Sequence, residues 1–480
     1  MIIDRETESR ELRTLADSGQ RKLALLYGRR RVGKTYLLTK LWDPARAFYF
    51  TASDTTPEIN RRWLITEAAR WSGEDLRPED HPTWRTVFRA LLELHGDQNL
   101  VVVLDEFQYL AHGDRGLVEV GSELNAVWES RLHRTGGVLL VLSGSATHTL
   151  EALKQGGSPL YGRLDWFRQL LPFDYYDAGQ MVAAYGPMDR IRAYAAFGGM
   201  PKYLSFVNSS RPLDANIVDL LLSPSGAVRI QLETVISQEE GLRDYTTYRG
   251  ILHAVGTKRR TNGEIASTLG VSLDSGLRRM TGQLAELGFL DGTRDFGEAR
   301  NQPLRYRISD PALRMYFGLI LPNESAIAAA GPEAVWRERL SSQLFPTYVG
   351  RHVFEDVVEQ AYRRQWEARG LPAVAEWGSW VGKDRDRKDA EVDVVARLLD
   401  GGILTGSAKM ENRAADAGVL FRHLSDLERL AASGRSWARE ALEPGTPMLF
   451  ASTAGFTESF TRAAEDLDRP VIRWDAGDLF

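Results

Sequence analysis

The chain has 480 residues, is 43% hydrophobic and 26% charged, and carries a formal net charge of −5 with a pI near 6.0. These values suit about three globular domains and exclude a wholly basic nucleic-acid coat protein, though not a local basic patch. The absence of cysteine removes disulfides, thiol catalysis and cysteine-based zinc sites. With no signal-peptide pattern and no apolar stretch near the roughly 18 residues of a spanning helix, the expectation is a cytoplasmic protein with no membrane partner.

Residues 1–172 alternate short β-rich runs with amphipathic helices, the pattern of a doubly wound α/β domain. The first informative segment is the apolar run Leu23–Tyr27, which breaks into Gly28-Arg29-Arg30-Arg31-Val32-Gly33-Lys34-Thr35, a complete G-x-x-x-x-G-K-[ST] loop. Such a loop delivers a row of backbone N–H groups, and then a helix N-terminus, to a polyphosphate. Gly28 allows the turn and Gly33 lets the backbone approach the phosphates. Lys34 reaches the β and γ phosphates, and the Thr35 hydroxyl is set to ligate Mg²⁺. Arg30, Arg31, Val32 and Tyr36 complete the expected contact set, and ATP with Mg²⁺ is the expected cofactor pair. A Gly-rich strand-to-helix turn without a ligand is the alternative, and the next motif weighs against it.

That motif, Leu100–Leu104 followed by Asp105 and Glu106, is continuously apolar, as a parallel strand covered on both faces is. Its two acids fall at the strand's carboxyl end, where ligands sit in open α/β sheets. Asp105 is expected to hold Mg²⁺ together with Thr35, and Glu106 to orient or deprotonate the attacking water. A third apolar run, Gly137–Leu142, ends in Ser143-Gly144-Ser145, where Ser143 is placed to sense the γ-phosphate. Further on, Pro159-Leu-Tyr-Gly162-Arg163 offers Arg163 as a finger neutralising charge in the transition state. Solvation or pairing of that arginine is the competing reading.

Residues 173–238 turn helical, as a lid beside a nucleotide site would, and contain a glycine-proline breaker at Phe197-Gly-Gly-Met-Pro201. Residues 239–325 read as a winged helix-turn-helix domain. A helix around Ile251 is followed by Thr261–Gly270, capped by Thr261 with Glu264 and closed by glycine. A third helix, Ser275–Glu286, carries Arg278 and Arg279 in the recognition position, and Leu287–Leu290 with Leu304–Ile308 supplies two strands. Residues 243–310 hold 11 Lys and Arg against 8 Asp and Glu, a weakly basic footprint consistent with DNA. Packing against neighbours or pairing of protomers is the other use of such a module.

Residues 333–480 form a further α/β pattern. Phe354-Glu355 opens a helix, and Glu391-Val-Asp393-Val-Val395 is a strand whose Glu391 and Asp393 share a face. A second strand ends at Ser407-Ala-Lys409, and strands at Met448–Ser452 and Val471–Trp474 flank a helix at 456–466. Glu355, Asp393 and an acid-x-Lys pair would make a metal-dependent nuclease centre, the acids binding Mg²⁺ and Lys409 positioning water. The acid position is occupied by Ser407, a poor ligand for a hard cation. Glu411, two residues past Lys409, is a remote substitute. The reading is therefore a degenerate nuclease-like domain that docks or holds DNA.

Together these segments resemble the archaeal-type P-loop ATPases of the AAA+/STAND group that carry a winged helix and a C-terminal domain similar to PD-(D/E)XK nucleases. The resemblance rests on Asp4-Arg5-Glu6, Tyr27–Thr35, Leu104-Asp-Glu-Phe-Gln108, Leu142–Ser145, Leu160–Arg163, Gly198–Pro201, Arg305–Pro311, Phe354-Glu355, Glu391–Val395 and Asp475–Phe480. It implies ATP binding with slow, switch-like hydrolysis and Arg163 at a γ-phosphate, in its own subunit or a neighbour's. It also implies Asp4, Arg5 and Glu6 near the adenine.

Residues and resemblance together predict an Mg²⁺-dependent ATPase switch acting on DNA through the winged helix and the nuclease-like domain, as a homo-oligomer or with a partner protein. The alternatives are an active ATP-controlled endonuclease using Glu355, Asp393 and Lys409, and a protein-interaction switch without nucleic acid.

Overall fold

A computed structural model describes residues 3–133, 135–145, 147–239, 242 and 244–480. They form two compact units that divide after Pro172.

The first unit is a five-stranded parallel sheet of β1 (Arg21–Tyr27), β2 (Ala47–Thr51), β3 (Leu100–Asp105), β4 (Val138–Gly144) and β5 (Trp166–Gln169). The order across the sheet is β2-β3-β4-β1-β5. The expected apolar runs are β1, β3 and β4, and every residue of β3 and β4 is buried. That pattern follows from crossover helices covering both faces of a parallel sheet. The first crossover, Lys34–Lys40, starts directly from the glycine loop. The core packs β-residues such as Leu23, Val102 and Leu140 against Leu64, Phe88 and Leu124 of the covering helices. The order matters for function. Because β4 lies between β1 and β3, their three carboxyl ends stand side by side.

The second unit begins with the helical segment expected as a lid. Within that unit, Tyr348 Oη donates hydrogen bonds to the carbonyls of Ala195 and Pro311, at 3.2 and 2.7 Å. The physical cause is the apolar, largely buried run Ile191–Phe197, which finds its partners further along the chain. Next come helices Tyr245–Val255, Asn262–Leu269 and Ser275–Glu286 with a small antiparallel sheet of β6 (Arg260–Thr261), β7 (Leu290–Thr293) and β8 (Arg305–Ile308), ordered β6-β8-β7. Residues 240, 241 and 243, at the start of that expected module, lie outside the described residues.

A second five-stranded sheet closes the chain: β9 (Val374–Lys383), β10 (Asp389–Leu398), β11 (Ile403–Lys409), β12 (Met448–Ser452) and β13 (Val471–Trp474). The order is β13-β12-β11-β10-β9, with β9–β10 and β10–β11 antiparallel and the remaining pairs parallel. Helices Ala417–Ala432, Ser436–Ala441 and Glu458–Glu465 bury Leu427, Trp437 and Phe460 against Val392 and Phe450 of this sheet. Among the described residues, no helix is long and apolar enough to cross a membrane.

Candidate nucleotide site and a second carboxylate centre

The glycine loop leaves β1 through Gly28, whose φ is 152°. A β-carbon there would lie 2.4 Å from the Leu170 carbonyl oxygen, so any side chain would push the loop off the backbone that follows β5. Gly33, with φ 98°, caps the helix Lys34–Lys40. Only glycine takes that conformation without strain, and it exposes the helix N-terminus that suits an anion. Lys34 is 5% exposed, and its Nζ donates to the carbonyls of Gly28 at 2.7 Å and Arg29 at 3.2 Å, inside the curve of the loop.

The two acids meet the loop from the end of β3, one strand beyond β4. Thr35 Oγ1 donates to Asp105 Oδ2 at 2.8 Å, and the Tyr49 hydroxyl donates to the same oxygen. The Glu106 N–H reaches Asp105 Oδ1 at 3.0 Å. Asp105 is almost wholly buried at the end of β3. Burial first, and the Asp105 charge second, push the Tyr49 phenol far above its ordinary range, so it remains a donor. The Thr35–Asp105 pair is the donor set expected of a hard cation site: a hydroxyl and a carboxylate brought together from the loop and a strand end. The side chains present therefore fit Mg²⁺ beside a polyphosphate.

Glu106 adopts the left-handed region, with φ 51°, which costs a non-glycine residue on the order of 1 kcal/mol. Its Oε2 accepts from Ser145 Oγ at 2.8 Å, from the Ser145 N–H at 3.1 Å and from Gln108 Nε2 at 2.6 Å. Ser145 Oγ also lies 3.4 Å from Arg30 Nε, and Arg30 Nη2 donates to the Tyr109 hydroxyl at 2.6 Å. The loop's second arginine is thus drawn toward the ends of β3 and β4. The Val32 side chain is buried, so only its backbone faces a ligand, whereas Tyr36 is half exposed.

Two expectations shift. Ser143, read as the γ-phosphate sensor, lies inside β4 opposite Leu26, fully buried, with a hydroxyl that makes no hydrogen bond. The polar contact with Glu106 comes from Ser145, the first residue beyond the strand. Arg163 is not brought to the loop. It pairs with Glu129 at 3.0 Å, just past the helix Gly113–Trp128, whose last carbonyl accepts from Arg21 at the start of β1. Seven residues of β1, roughly 20 Å of extended chain, separate that end from the glycine loop. Within one subunit, sheet geometry keeps this guanidinium away from the phosphates.

Sequence reasoning gave no site role to Tyr49 or to Gln108. Gln108 sits two positions after Glu106, and Tyr49 lies on the neighbouring strand in register with Val103. The Asp4-Arg5 turn, with φ 53° and 80°, is tied to the segment after β5 by a 2.5 Å bond from Arg5 Nη2 to the Leu171 carbonyl. It therefore adjoins the backbone against which Gly28 packs.

The C-terminal sheet holds a second centre. Carboxylate oxygens of Glu355, Glu391 and Asp393 lie within 4.8 Å of one another. Asp393 is buried and accepts from Ser407 Oγ at 2.8 Å and the Ala408 N–H at 2.9 Å, and Lys409 Nζ is 2.9 Å away. Burial, then Asp393, Asp356 and Glu391, hold the Glu355 carboxyl well above the usual carboxylate range, while Lys409 opposes them. Glu411 is not in the cluster; its N–H donates to Thr453 Oγ1.

A glycine loop and an Asp-Glu pair at the carboxyl ends of strands one apart in a parallel sheet are the arrangement of a P-loop-like domain. Residues 20–178 match the AAA domain family. Over 401 residues the chain is 25% identical to an uncharacterized protein of Methanocaldococcus jannaschii, covering 82% of this chain and 84% of that one. It is also similar to the Walker-type ATPase of Pyrococcus abyssi, with 22% identity, a TM-score of 0.48, and 66% and 96% of the two chains covered. For the ORC2 protein of Aeropyrum pernix, in complexes with ADPNP and ADP, the values are 13%, 0.43, 68% and 95%.

Proposed function

We propose that the protein is an Mg²⁺-dependent ATPase that works as a nucleotide-controlled switch on DNA. The carrying observation is the convergence of Thr35 and Lys34 from the loop with Asp105 and Glu106 from β3. Lys34 exchanges the carbonyls of Gly28 and Arg29 for the β and γ phosphates, while Thr35 and Asp105 hold the cation. Bound there, the cation supplies charge neutralisation on the transferring phosphoryl group. Glu106 orients the attacking water once Ser145 and Gln108 release or share its carboxylate. Arg163 serves a neighbouring protomer's nucleotide, and the switch works as a homo-oligomer.

The DNA half of the proposal rests on the second unit. Three helices with a small antiparallel sheet, two of whose strands follow the third helix, have the layout of a winged helix, and Arg278 and Arg279 are exposed on that third helix. The mixed sheet with Glu355, Asp393 and Lys409 is arranged like a nuclease domain.

ATP turnover is expected to collapse in Lys34→Ala and in Glu106→Gln, with nucleotide still bound by the latter; unchanged turnover in either variant refutes the site assignment. Duplex binding is expected to weaken with salt and on replacing Arg278 and Arg279 by Ala. Binding indifferent to both would instead support a switch that acts on a protein partner.

A further inference from the structure

The loop of residues 294–304 joins β7 to β8, where the expected wing would lie, and its first half is not free. Phe296 is buried in the core of the terminal sheet beside Trp380 and Trp437, and its N–H donates to the Ser379 carbonyl of β9 at 3.0 Å. A β-carbon at Gly297 would stand 2.7 Å from Trp437 Cδ1, so a residue without one lets the loop lie this close. Glu298 adds an ion pair with Arg435 at 2.8 Å. Sealing an aromatic ring in a core outweighs a partly exposed ion pair, so Phe296 is the anchor. The small sheet around the third helix is thereby pinned to β9.

That pinning gives a role to the turn at the end of β9. Thr261, Arg305 and Lys383 line one cleft of about 310 Å³ between the wing loop and the turn. Thr261 caps the module's second helix, and Asn262 beside it accepts from Thr281 of the third at 2.8 Å. Lys383, the last residue of β9, is paired with Asp389 at 2.8 Å. Asp384 is buried and engaged, accepting from the N–H groups of Asp386 and Lys388, each at 2.9 Å, and from Arg429. Arg385, Arg387 and Lys388 remain, all exposed, against the exposed Asp386 alone. Among the described residues, no hydrogen bond or ion pair engages the side chain of any of these three cations. Like charges this close in the chain repel one another, and a polyanion relieves that repulsion.

We propose that the β9–β10 turn, through Arg385, Arg387 and Lys388, is a second contact surface for the phosphate backbone of a DNA duplex held by the third helix. Duplex DNA presents about one negative charge per 1.7 Å of its axis, so cations on a fixed turn meet phosphates whatever the base sequence. This surface presupposes the DNA-binding reading of the winged module and extends it to the terminal sheet.

Fluorescence anisotropy of a labelled duplex with the full chain, between about 50 and 200 mM salt, tests it. Each phosphate contact adds about 0.9 to the slope of log affinity against log salt. The variant Arg385→Ala/Arg387→Ala/Lys388→Ala should therefore show a slope shallower by about 2 to 3. With three full contacts, the unaltered chain loses roughly 40-fold more affinity across that range than the variant does. The variant Arg385→Lys/Arg387→Lys keeps the charges and should keep the slope. All three positions are exposed, so the thermal transition should stay where it was. An unchanged slope in the triple alanine variant, with duplex still bound, overturns the turn as a contact and leaves the winged module's DNA binding standing. A slope that falls equally in the lysine and alanine variants also overturns it, because charge would then not be what the turn supplies. Salt-indifferent binding by the unaltered chain, or none, removes the duplex reading and this surface together.

Discussion

Single residues set the nucleotide site by exclusion as much as by contact. At Gly144 a β-carbon would stand 2.2 Å from Gln108 Oε1 and 2.8 Å from Leu150 Cδ1, so an added methyl would have to displace the amide that holds Glu106. Gly144→Ala is expected to cost about 1–3 kcal/mol in chemical denaturation and to lower ATP turnover at near-constant nucleotide affinity. Wild-type stability in that variant would contradict the packing described. Tyr49 acts through Asp105, to which it donates alongside Thr35. In Tyr49→Phe the half-saturating Mg²⁺ concentration should rise while the rate at saturating Mg²⁺ holds; a loss of rate with no change in metal requirement would place Tyr49 nearer the chemistry. Neither residue's role was legible in the sequence. A tyrosine in a short strand has no motif, and its meeting with Asp105 depends on β2 pairing with β3 in one register.

Elements were legible in proportion to how local their signals are. The helix Asn262–Leu269 is announced by its own ends: Thr261 Oγ1 accepts from the Glu264 N–H at 3.2 Å, Glu264 accepts from the Thr261 N–H at 2.7 Å, and Gly270 closes it with φ 68°. Thr261→Ala should cost about 1 kcal/mol, read as a lower midpoint in urea. Strand β9 gave no such signal. It is an edge strand whose apolar pattern is interrupted by Gly378 and Gly382, and its pairing with β10 shifts register between Val392 and Val395. The helix Ala417–Ala432 also went unread, and it carries a buried titratable group. His423 is pushed down to about 4 by burial, with Lys409 and Arg469 adding to the shift and Asp393 opposing it; Thr405 Oγ1 is 3.1 Å from its Nε2. Unfolded, the same imidazole titrates near 6.5. Between those values the unfolded chain binds the extra proton, so stability is full above about pH 6.5 and falls as pH drops toward 4. The loss should reach about 3 kcal/mol and be reduced in His423→Gln, measured as the pH dependence of the unfolding midpoint; equal slopes in the two proteins would assign the acid sensitivity elsewhere.

At the scale of the whole chain, two compact units with separate cores are expected to unfold in separable steps. ADP with Mg²⁺ should raise the transition of the first unit by about 2.7 kcal/mol at a hundredfold excess over its dissociation constant, and Lys34→Ala should abolish that gain. A calorimetric trace that nucleotide leaves unmoved would remove the nucleotide site. The sequence by itself determined the glycine loop, the Asp105-Glu106 pair and the parallel α/β character of the first unit, because each is written in contiguous residues whose backbone conformation and burial follow from their neighbours. Only the tertiary structure decided that Ser145 rather than Ser143 meets Glu106, that Arg163 sits at the far end of the sheet, and that Glu391 completes the carboxylates around Asp393. Those outcomes depend on strand order, register and helix placement, which bring together residues distant in the chain and which no local pattern encodes.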